Sequence, residues 1–197
     1  HPTLAGTDLW LYAVGSAGMA TLLFGAWAAL WQHDLKGLLA YSTISHLGLI
    51  VMLLGLGTAT ALVAGVFHVV NHATFKASLF MAAGIVDHET GTRDMRVLNG
   101  LARHMPRTAA LAIVAAGAMA GVPLLNGFLS KEMFFTEALA GPGAGGVRWL
   151  EPAAALLYGV FSVAYSTRFV MEVFFNADGT PLPREPHEPP FFMRLPV

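Results

Sequence analysis

The chain has 197 residues, of which 55% are hydrophobic and 12% are charged, about half the charged fraction of an average soluble domain. The formal net charge is −1 at pH 7, so no basic surface for nucleic acid is expected. The sequence contains no cysteine, which excludes disulfides, iron–sulfur clusters and thiolate metal sites, and we expect no cofactor.

Five apolar segments are each long enough, at about 20 residues or more, to cross a bilayer as a helix. They predict an all-α integral membrane protein. The predicted helices cover residues 8–32, 35–56, 60–86, 107–140 and 152–176.

The charged connections predict the orientation in the membrane. Arginines lie in residues 87–106 and again in the tail 177–197, whereas the opposite connections carry only Arg148. The positive-inside rule therefore puts the tail in the cytoplasm, and we predict a multi-pass protein of the cell's inner (plasma) membrane. Because the chain starts at His1 without an initiator methionine or a recognisable signal peptide, we expect a fragment of a longer polypeptide.

The second segment begins with a charged residue in its first turn. Asp34 is a candidate N-cap, and Lys36 follows it where a cation is unfavourable against the positive end of the helix dipole. Lys36 is therefore either a functional group or a lysine at the membrane interface beside Asp34, and the sequence leaves both interpretations open.

The third segment carries a ladder of titratable side chains. His68, His72 and Lys76 are spaced at i, i+4 and i+8, so a helix places them on one face over roughly 12 Å of its length. Ionisable groups inside a membrane helix are costly and are typical of ion or proton pathways. We expect all three to face the interior of the helix bundle.

Two other interpretations of the histidines remain open. His68 and His72 could form a metal pair with His46 or His104 as a third ligand, but the Lys76 cation on the same face opposes a metal ion. They could also be core histidines with a purely structural role. We expect no metal site.

The fourth segment is too long for one simple crossing and is predicted to be broken near residues 122–129. Pro123 removes a backbone donor, and Gly121 and Gly127 loosen the same stretch. Transporters use such discontinuous helices around ion sites. Lys131 follows the break directly, although a proline kink with Lys131 extending to the interface would look similar in sequence.

Five more charged positions are interpreted as structural or solvated. Arg168 and Glu172 in the fifth segment have the spacing of a helical ion pair. Asp87, Glu89 and Glu137 lie near helix ends and are expected to be in contact with water.

Three stretches resemble, in the same order, the signature segments of the antiporter-like subunits shared by respiratory complex I and Mrp-type cation/proton antiporters. They are DLKGLLAYSTISHLG at 34–48, FHVVNHATFKA at 67–77 and LLNGFLSKE at 124–132. Within that superfamily, DHETGTRD at 87–94 and GVPLLNG at 121–127 look like the large A subunit of the Mrp type.

The resemblance implies a fold of two inverted five-helix repeats, each with one broken helix. Residues 1–176 are similar to the second repeat, and residues 177–197 would lead into a missing C-terminal extension. The implied function is the proton-translocating part of a Na⁺/H⁺ antiporter, a secondary transporter rather than an enzyme, in which a Lys/His relay moves protons. The implied pathway residues are Lys36, His68, His72, Lys76 and Lys131, and the accessory positions are His46, Glu132 and Asp34.

The partners implied by the resemblance are the other subunits of a multi-subunit cation/proton exchange complex, Na⁺ and H⁺ as substrates, and the lipid bilayer. The membrane segments offer few oxygen ligands for Na⁺, so we expect the sodium site elsewhere in the complex. A proton-pumping membrane protein of an NADH–quinone oxidoreductase would share the same titratable residues and is the first alternative. A membrane scaffold that no longer conducts protons is the second.

Overall fold

The computed structural model describes residues 7–141, 149–176 and 181–190, and every regular element within these ranges is helical. Four helices are long and apolar enough to cross a membrane, and a shorter apolar helix of 15 residues accompanies them. The helices are α1 Asp8–Leu30, α2 Leu35–Leu56, α3 Ala59–Thr90, α4 Pro106–Ala120, α5 Asn126–Ala140 and α6 Leu150–Phe175. The prediction of an all-α membrane protein is confirmed.

The ends of α2 and α3 follow from their capping residues. The Asp34 carboxylate accepts a hydrogen bond from Gly37 N at 2.7 Å, as predicted for an N-cap, and the Thr58 hydroxyl caps α3 in the same way. Helix α3 extends beyond its predicted end at residue 86, up to Gly91, which has φ +73°. Glycine adopts this left-handed conformation without steric cost, so it ends the helix where the apolar pattern alone could not.

The predicted interruption of the fourth segment is confirmed. Helix α4 ends at Ala120, Gly121 follows with φ +87°, and α5 begins at Asn126. The two halves approach closely, because a Cβ atom built on Gly127 would lie 1.8 Å from the Ala118 carbonyl oxygen. Only glycine fits at this position, so the sequence of the break determines how the half-helices pack.

Helix α3 lies at the centre of the bundle and packs against α2, α4 and α5, while α6 packs against α1, α4 and α5. The pair α1 and α2 is held at short distance by glycines. A Cβ atom on Gly48, for example, would lie 2.3 Å from Leu22 N. The polar side chains of α3 therefore face α2 and α5.

The connections at one end of the bundle are joined to each other by hydrogen bonds. The turn before α2 pairs with the connection after α3 through Leu35 N to Arg93 O at 2.9 Å and Met95 N to His33 O at 2.8 Å. In the second connection, hydrogen bonds from Arg96 lower the pKa of Asp94 to about 2.

Residues 181–190 also lie at this end, where they contact α3 and α4. The Glu188 carboxylate accepts hydrogen bonds from the backbone N–H groups of Arg107 and Thr108 in the first turn of α4. His187 pairs with Glu89 at 2.9 Å, and Arg184 donates to the His88 carbonyl oxygen at 3.1 Å. The tail thus caps one helix and covers the end of another.

Two of the charged positions expected in contact with water make ion pairs with other residues; Glu89 is buried, whereas Asp87 is partly exposed. The Glu89 side chain is only 3% exposed, because His88 and His187 lie against its two oxygens, so the expectation of a solvated carboxylate was wrong. Asp87 pairs with Lys36 at 2.7 Å. The predicted ion pair between Arg168 and Glu172 is confirmed at 2.8 Å.

Candidate proton pathway

Three buried imidazoles form the centre of the candidate site, and we call them the histidine cluster: His46 on α2, and His68 and His72 on α3. His46 Nδ1 lies 3.0 Å from His68 Nε2. The His72 ring packs beside His46, with 5.1 Å between the ring centroids. The spacing of i, i+4 on α3 predicted two of these neighbours, and the burial of the third segment's ladder is confirmed. His46 was predicted only as an accessory position, yet it contacts both other rings.

Lys76 lies next to the histidine cluster, one helical turn beyond His72. Its ammonium donates hydrogen bonds to the Leu39 carbonyl oxygen at 3.0 Å and to the Ser42 hydroxyl, both on α2. The residue is 5% exposed. These acceptors are neutral, so the charged form of Lys76 is held in the interior without a hydrogen-bonded carboxylate, which is costly in a membrane.

Lys131 lies on the other side of the cluster, on α5 directly after the break. Its ammonium donates to the Ala120 carbonyl oxygen at 3.0 Å and to the Ser162 hydroxyl at 2.6 Å. Ala120 is the last residue of α4, whose terminal carbonyl groups have no helical partner. The break therefore binds the cation, and the alternative in which Lys131 extends to the interface does not describe its geometry.

Helix α6 supplies two tyrosines that contact His46, and one of them also contacts Lys131. The Tyr158 hydroxyl lies 3.2 Å from His46 Nδ1, and the Tyr165 hydroxyl lies 3.4 Å from His46 Nε2. The Lys131 ammonium is 5.0 Å from the centre of the Tyr158 ring. The charge of Lys131 and the nitrogen of His46 are thus linked through one aromatic side chain.

Sequence reasoning missed the hydroxyl groups of this site. The signal was present in α6, because Tyr158, Ser162 and Tyr165 follow at i, i+4 and i+7 within the otherwise apolar stretch 152–165. Ser130, directly before Lys131, lies 3.0 Å from His68 Nδ1 through its hydroxyl oxygen. All four side chains are fully buried.

Three predicted residues do not lie in the buried cluster. Lys36 is 36% exposed in its pair with Asp87, and Asp34 both caps α2 and pairs with Arg93 at 3.1 Å. Glu132 lies on the exposed face of α5. The structure thus separates these charges from the histidines, which the sequence had grouped with them.

Two features bear on metal binding. Among the residues that the structure describes, no group of His, Asp and Glu side chains has the arrangement of a metal site. His104, one of the proposed third ligands, lies in a surface cavity of about 430 Å³ with Arg103 and Phe174 in its wall. The three rings of the histidine cluster contact one another and the hydroxyl groups of neighbouring side chains.

The His72 ring differs from the other two rings of the cluster in one of its nitrogen atoms. His72 Nε2 is buried and makes no hydrogen bond within the described part of the chain. Buried polar atoms without a partner are rare in proteins and require an explanation. In a pathway, such a nitrogen is available to exchange a proton.

The fold and the site define a class: a multi-pass helical membrane protein with one broken helix and with lysines and histidines buried in its interior. The chain belongs to the family described as NADH:quinone oxidoreductase/Mrp antiporter, TM, whose model matches residues 3–147.

Individual relatives and a solved structure support the same assignment. The chain is 62% identical over 196 residues to a probable K⁺/H⁺ antiporter subunit, of the type designated A/B, from Rhizobium meliloti (strain 1021), in an alignment that covers 100% of this chain and 20% of the relative. It is 41% identical over 214 residues to the A-type subunit of a Na⁺/H⁺ antiporter from Bacillus subtilis (strain 168), covering 99% and 26%. The Mrp complex from Dietzia sp. DQ12-45-1b matches with a TM-score of 0.80 and 46% identity over 85% of this chain and 18% of the matched chain. The chain thus spans about a fifth to a quarter of the length of these proteins.

Proposed function

We propose that the chain is the proton-translocating part of a monovalent cation/proton antiporter, working with other subunits in the inner membrane of a bacterium. The observation that carries this proposal is the placement of two buried lysines, Lys76 and Lys131, on opposite sides of the histidine cluster. Each ammonium is held by a backbone carbonyl and a serine hydroxyl. A buried ammonium group without a carboxylate partner has no opposite charge to stabilise it, so it can pass its proton on. A relay requires this property, whereas a structural ion pair does not.

The proposed route of the proton follows the observed contacts. From Lys131, the Ser162 hydroxyl and Tyr158 lead to His46. From His46, the His68 and His72 rings lead to the side of Lys76. Because histidine changes charge near neutral pH, it suits transfer between the two lysines. Protonation of one lysine disfavours a charge on the other, so protons move in sequence rather than together.

We propose that Lys36 and Asp34 lie at the cytoplasmic mouth of this route rather than inside it. Lys36 is paired and partly exposed at the end of the bundle where the arginine-containing connections meet. Glu132 is on an outer face and would meet lipid or a neighbouring protein of the complex. Since the described groups around the histidine cluster are Lys, His, Ser and Tyr side chains rather than carboxylates, we propose that the cation crosses elsewhere in the complex.

The names of the relatives favour an antiporter over a redox-driven pump. The family includes both kinds, but the two named relatives are cation/proton antiporter subunits. These names differ in the cation: K⁺ for the relative at 62% identity and Na⁺ for the one at 41%. Both ions must therefore be tested, with Na⁺ as the first expectation and K⁺ as the second candidate.

The test is exchange by the complete antiporter in everted membrane vesicles, read as the dye-detected collapse of a pH gradient on addition of Na⁺ or K⁺. Lys131→Ala should abolish or strongly reduce exchange with the complex still assembled. Lys131→Arg should also fail, because the guanidinium remains protonated and cannot pass a proton on.

Thr136→Ala, on the exposed face of the same helix, is the matched control and should retain activity. Rates are normalised to the amount of assembled complex in each vesicle preparation. Full exchange by the Lys131→Arg variant with both cations would refute the relay and leave a structural role.

A further inference from the structure

Four buried side chains form one continuous series of hydrogen-bonding contacts across four helices. Ser130 Oγ lies 3.0 Å from His68 Nδ1, His68 Nε2 lies 3.0 Å from His46 Nδ1, and His46 Nε2 lies 3.4 Å from the Tyr165 hydroxyl. Each of the four residues has 0% exposure. The series begins one turn after the break in the fourth segment and ends on α6.

The hydrogen bonds of this series can run in either of two directions, from Ser130 to Tyr165 or from Tyr165 to Ser130. A neutral imidazole has one donor and one acceptor nitrogen, so the tautomer of one ring dictates that of the next. If His68 donates from Nδ1 to Ser130, its Nε2 accepts from His46 Nδ1, and His46 Nε2 accepts from Tyr165. In the opposite direction, Ser130 donates to His68 Nδ1, His68 Nε2 donates to His46, and His46 Nε2 donates to Tyr165.

Ser130 has two acceptors for its single proton. Besides His68 Nδ1, its hydroxyl reaches the Gly127 carbonyl oxygen at 3.1 Å. When the proton points to Gly127, His68 must be the donor to Ser130. When the proton points to His68, that donor is lost and the tautomer of His68 is reversed. Rotation of one hydroxyl therefore selects the direction of the series.

The direction decides whether His68 can receive a proton from His46. In transfer from a doubly protonated His46, the Nδ1–H bond of His46 breaks and an Nε2–H bond forms on His68, which becomes the cation, while His46 stays neutral with its proton on Nε2. This step needs an unprotonated His68 Nε2. That is the state in which Ser130 donates to Gly127.

We propose that Ser130 and Tyr165 are positioning residues that set the direction of proton transfer between His46 and His68. Ser130 acts by its choice of acceptor, and the Tyr165 oxygen accepts a hydrogen bond from the Nε2–H group that remains on His46. The proposal rests on the proposed function. It also connects the relay with the broken helix, because Gly127 lies in the first turn after the break and any change in that turn moves the competing carbonyl.

The test compares variants of the complete antiporter in proteoliposomes. Ser130→Ala and Tyr165→Phe each remove one hydroxyl of the series. Ser45→Ala and Tyr41→Phe are the matched controls: Ser45 is equally buried and donates to the Leu22 carbonyl oxygen, and Tyr41 packs against Phe24 outside the series. Exchange is measured as a function of pH, in H₂O and in D₂O.

We expect Ser130→Ala and Tyr165→Phe to slow exchange about five- to tenfold, the size of an effect from one buried hydrogen bond. Their pH profiles should change shape, and the solvent isotope effect should rise, because transfer between the imidazoles becomes rate-limiting. Ser130→Thr keeps a hydroxyl and should recover the original profile. The two controls should match the unmodified complex in all three measurements.

If Ser130→Ala does not assemble, Tyr165→Phe decides, since it removes only an oxygen atom. The inference would be overturned if Tyr165→Phe, and Ser130→Ala where it assembles, kept the rate, the pH profile and the isotope effect of the unmodified complex. If Lys131→Ala still abolishes exchange in the same experiment, the proposed function stands even though the inference about Ser130 and Tyr165 is lost. If Lys131→Ala is also active, the proposed function itself has failed.

Discussion

At the scale of single residues, the chemistry around each lysine distinguishes its role. Lys76 and Lys131 are almost completely buried against carbonyl and hydroxyl oxygens, whereas Lys36 is paired with a carboxylate and partly exposed. The sequence treated all three alike, because each lies in or beside an apolar segment. Only the identity of the acceptor, which comes from another helix, separates a lysine that can exchange its proton from one that holds two elements together.

The pair of Lys36 and Asp87 gives a test of this distinction. Lys36→Asp should reduce the amount of assembled complex or the rate of exchange, because two carboxylates would then face each other at the ends of α2 and α3. The double variant Lys36→Asp with Asp87→Lys should restore most of the loss, since an exchanged ion pair holds the same helices. Assembly is measured by size-exclusion chromatography and exchange in everted vesicles.

Asp94→Asn provides the comparison, because it removes a carboxylate from the same end of the bundle without touching the pair. If the exchanged variant assembles fully but transports no protons, Lys36 takes part in the relay itself, and its assignment to the mouth must be abandoned.

At the scale of helices, the break between α4 and α5 depends on a contact that only glycine permits. Gly127 faces the Ala118 carbonyl oxygen so closely that a methyl group cannot be accommodated without moving one half-helix. Lys131 lies on the second half-helix and donates a hydrogen bond to the Ala120 carbonyl oxygen at the end of the first. The position of the cation is therefore coupled to the packing of the break.

Gly127→Ala should lower the thermal stability of the complex and reduce exchange. We expect a loss on the order of the 1–3 kcal/mol that overpacking of a tightly packed interior causes. Gly84→Ala is the control, since a Cβ atom at that helical position meets nothing within 4 Å in this chain. Alanine is also the better helix former, by about 1 kcal/mol.

Fluorescence-detected size-exclusion chromatography after heating compares the two variants in detergent extracts. If the midpoint of Gly127→Ala is no lower than that of the unmodified complex, the half-helices adjust without cost, and the packing argument would be lost.

At the scale of the whole molecule, one end of the bundle gathers most of the charged connections. The turn before α2, the connection after α3 and residues 181–190 contact one another there through backbone pairing, ion pairs and the carboxylate that caps α4. The positive-inside rule predicts that this end is cytoplasmic. The assignment of Lys36 and Asp34 to a cytoplasmic mouth of the route depends on this orientation.

Cysteine labelling can test the orientation, because the chain itself has no cysteine. His104→Cys and Trp149→Cys place single thiols at exposed positions on opposite ends of the bundle. A membrane-impermeant maleimide should label the first in everted vesicles and the second in right-side-out cells. Labelling in the reverse pattern would invert the topology, and labelling of both from one side would contradict the membrane-spanning arrangement.

The sequence by itself determined the membrane class, the positions of the helices and the interruption of the fourth segment. These are local properties: apolar length, capping residues and the effects of Gly121, Pro123 and Gly127 act within a few residues of the chain. The ladder of His68, His72 and Lys76 was predictable for the same reason, because helical spacing places neighbours of one helix on one face.

The tertiary structure alone decided which groups meet across helices. His46 contacts His68 from another helix, Tyr158 and Tyr165 reach His46 from α6, and Lys131 finds the open end of α4. These contacts join residues up to 119 positions apart, and their hydroxyl groups are common in membrane helices without any role. Periodicity orients a side chain around its own helix axis, but only the packing of the helices determines which partner lies opposite. In this protein, those partners connect the separate titratable residues into one site.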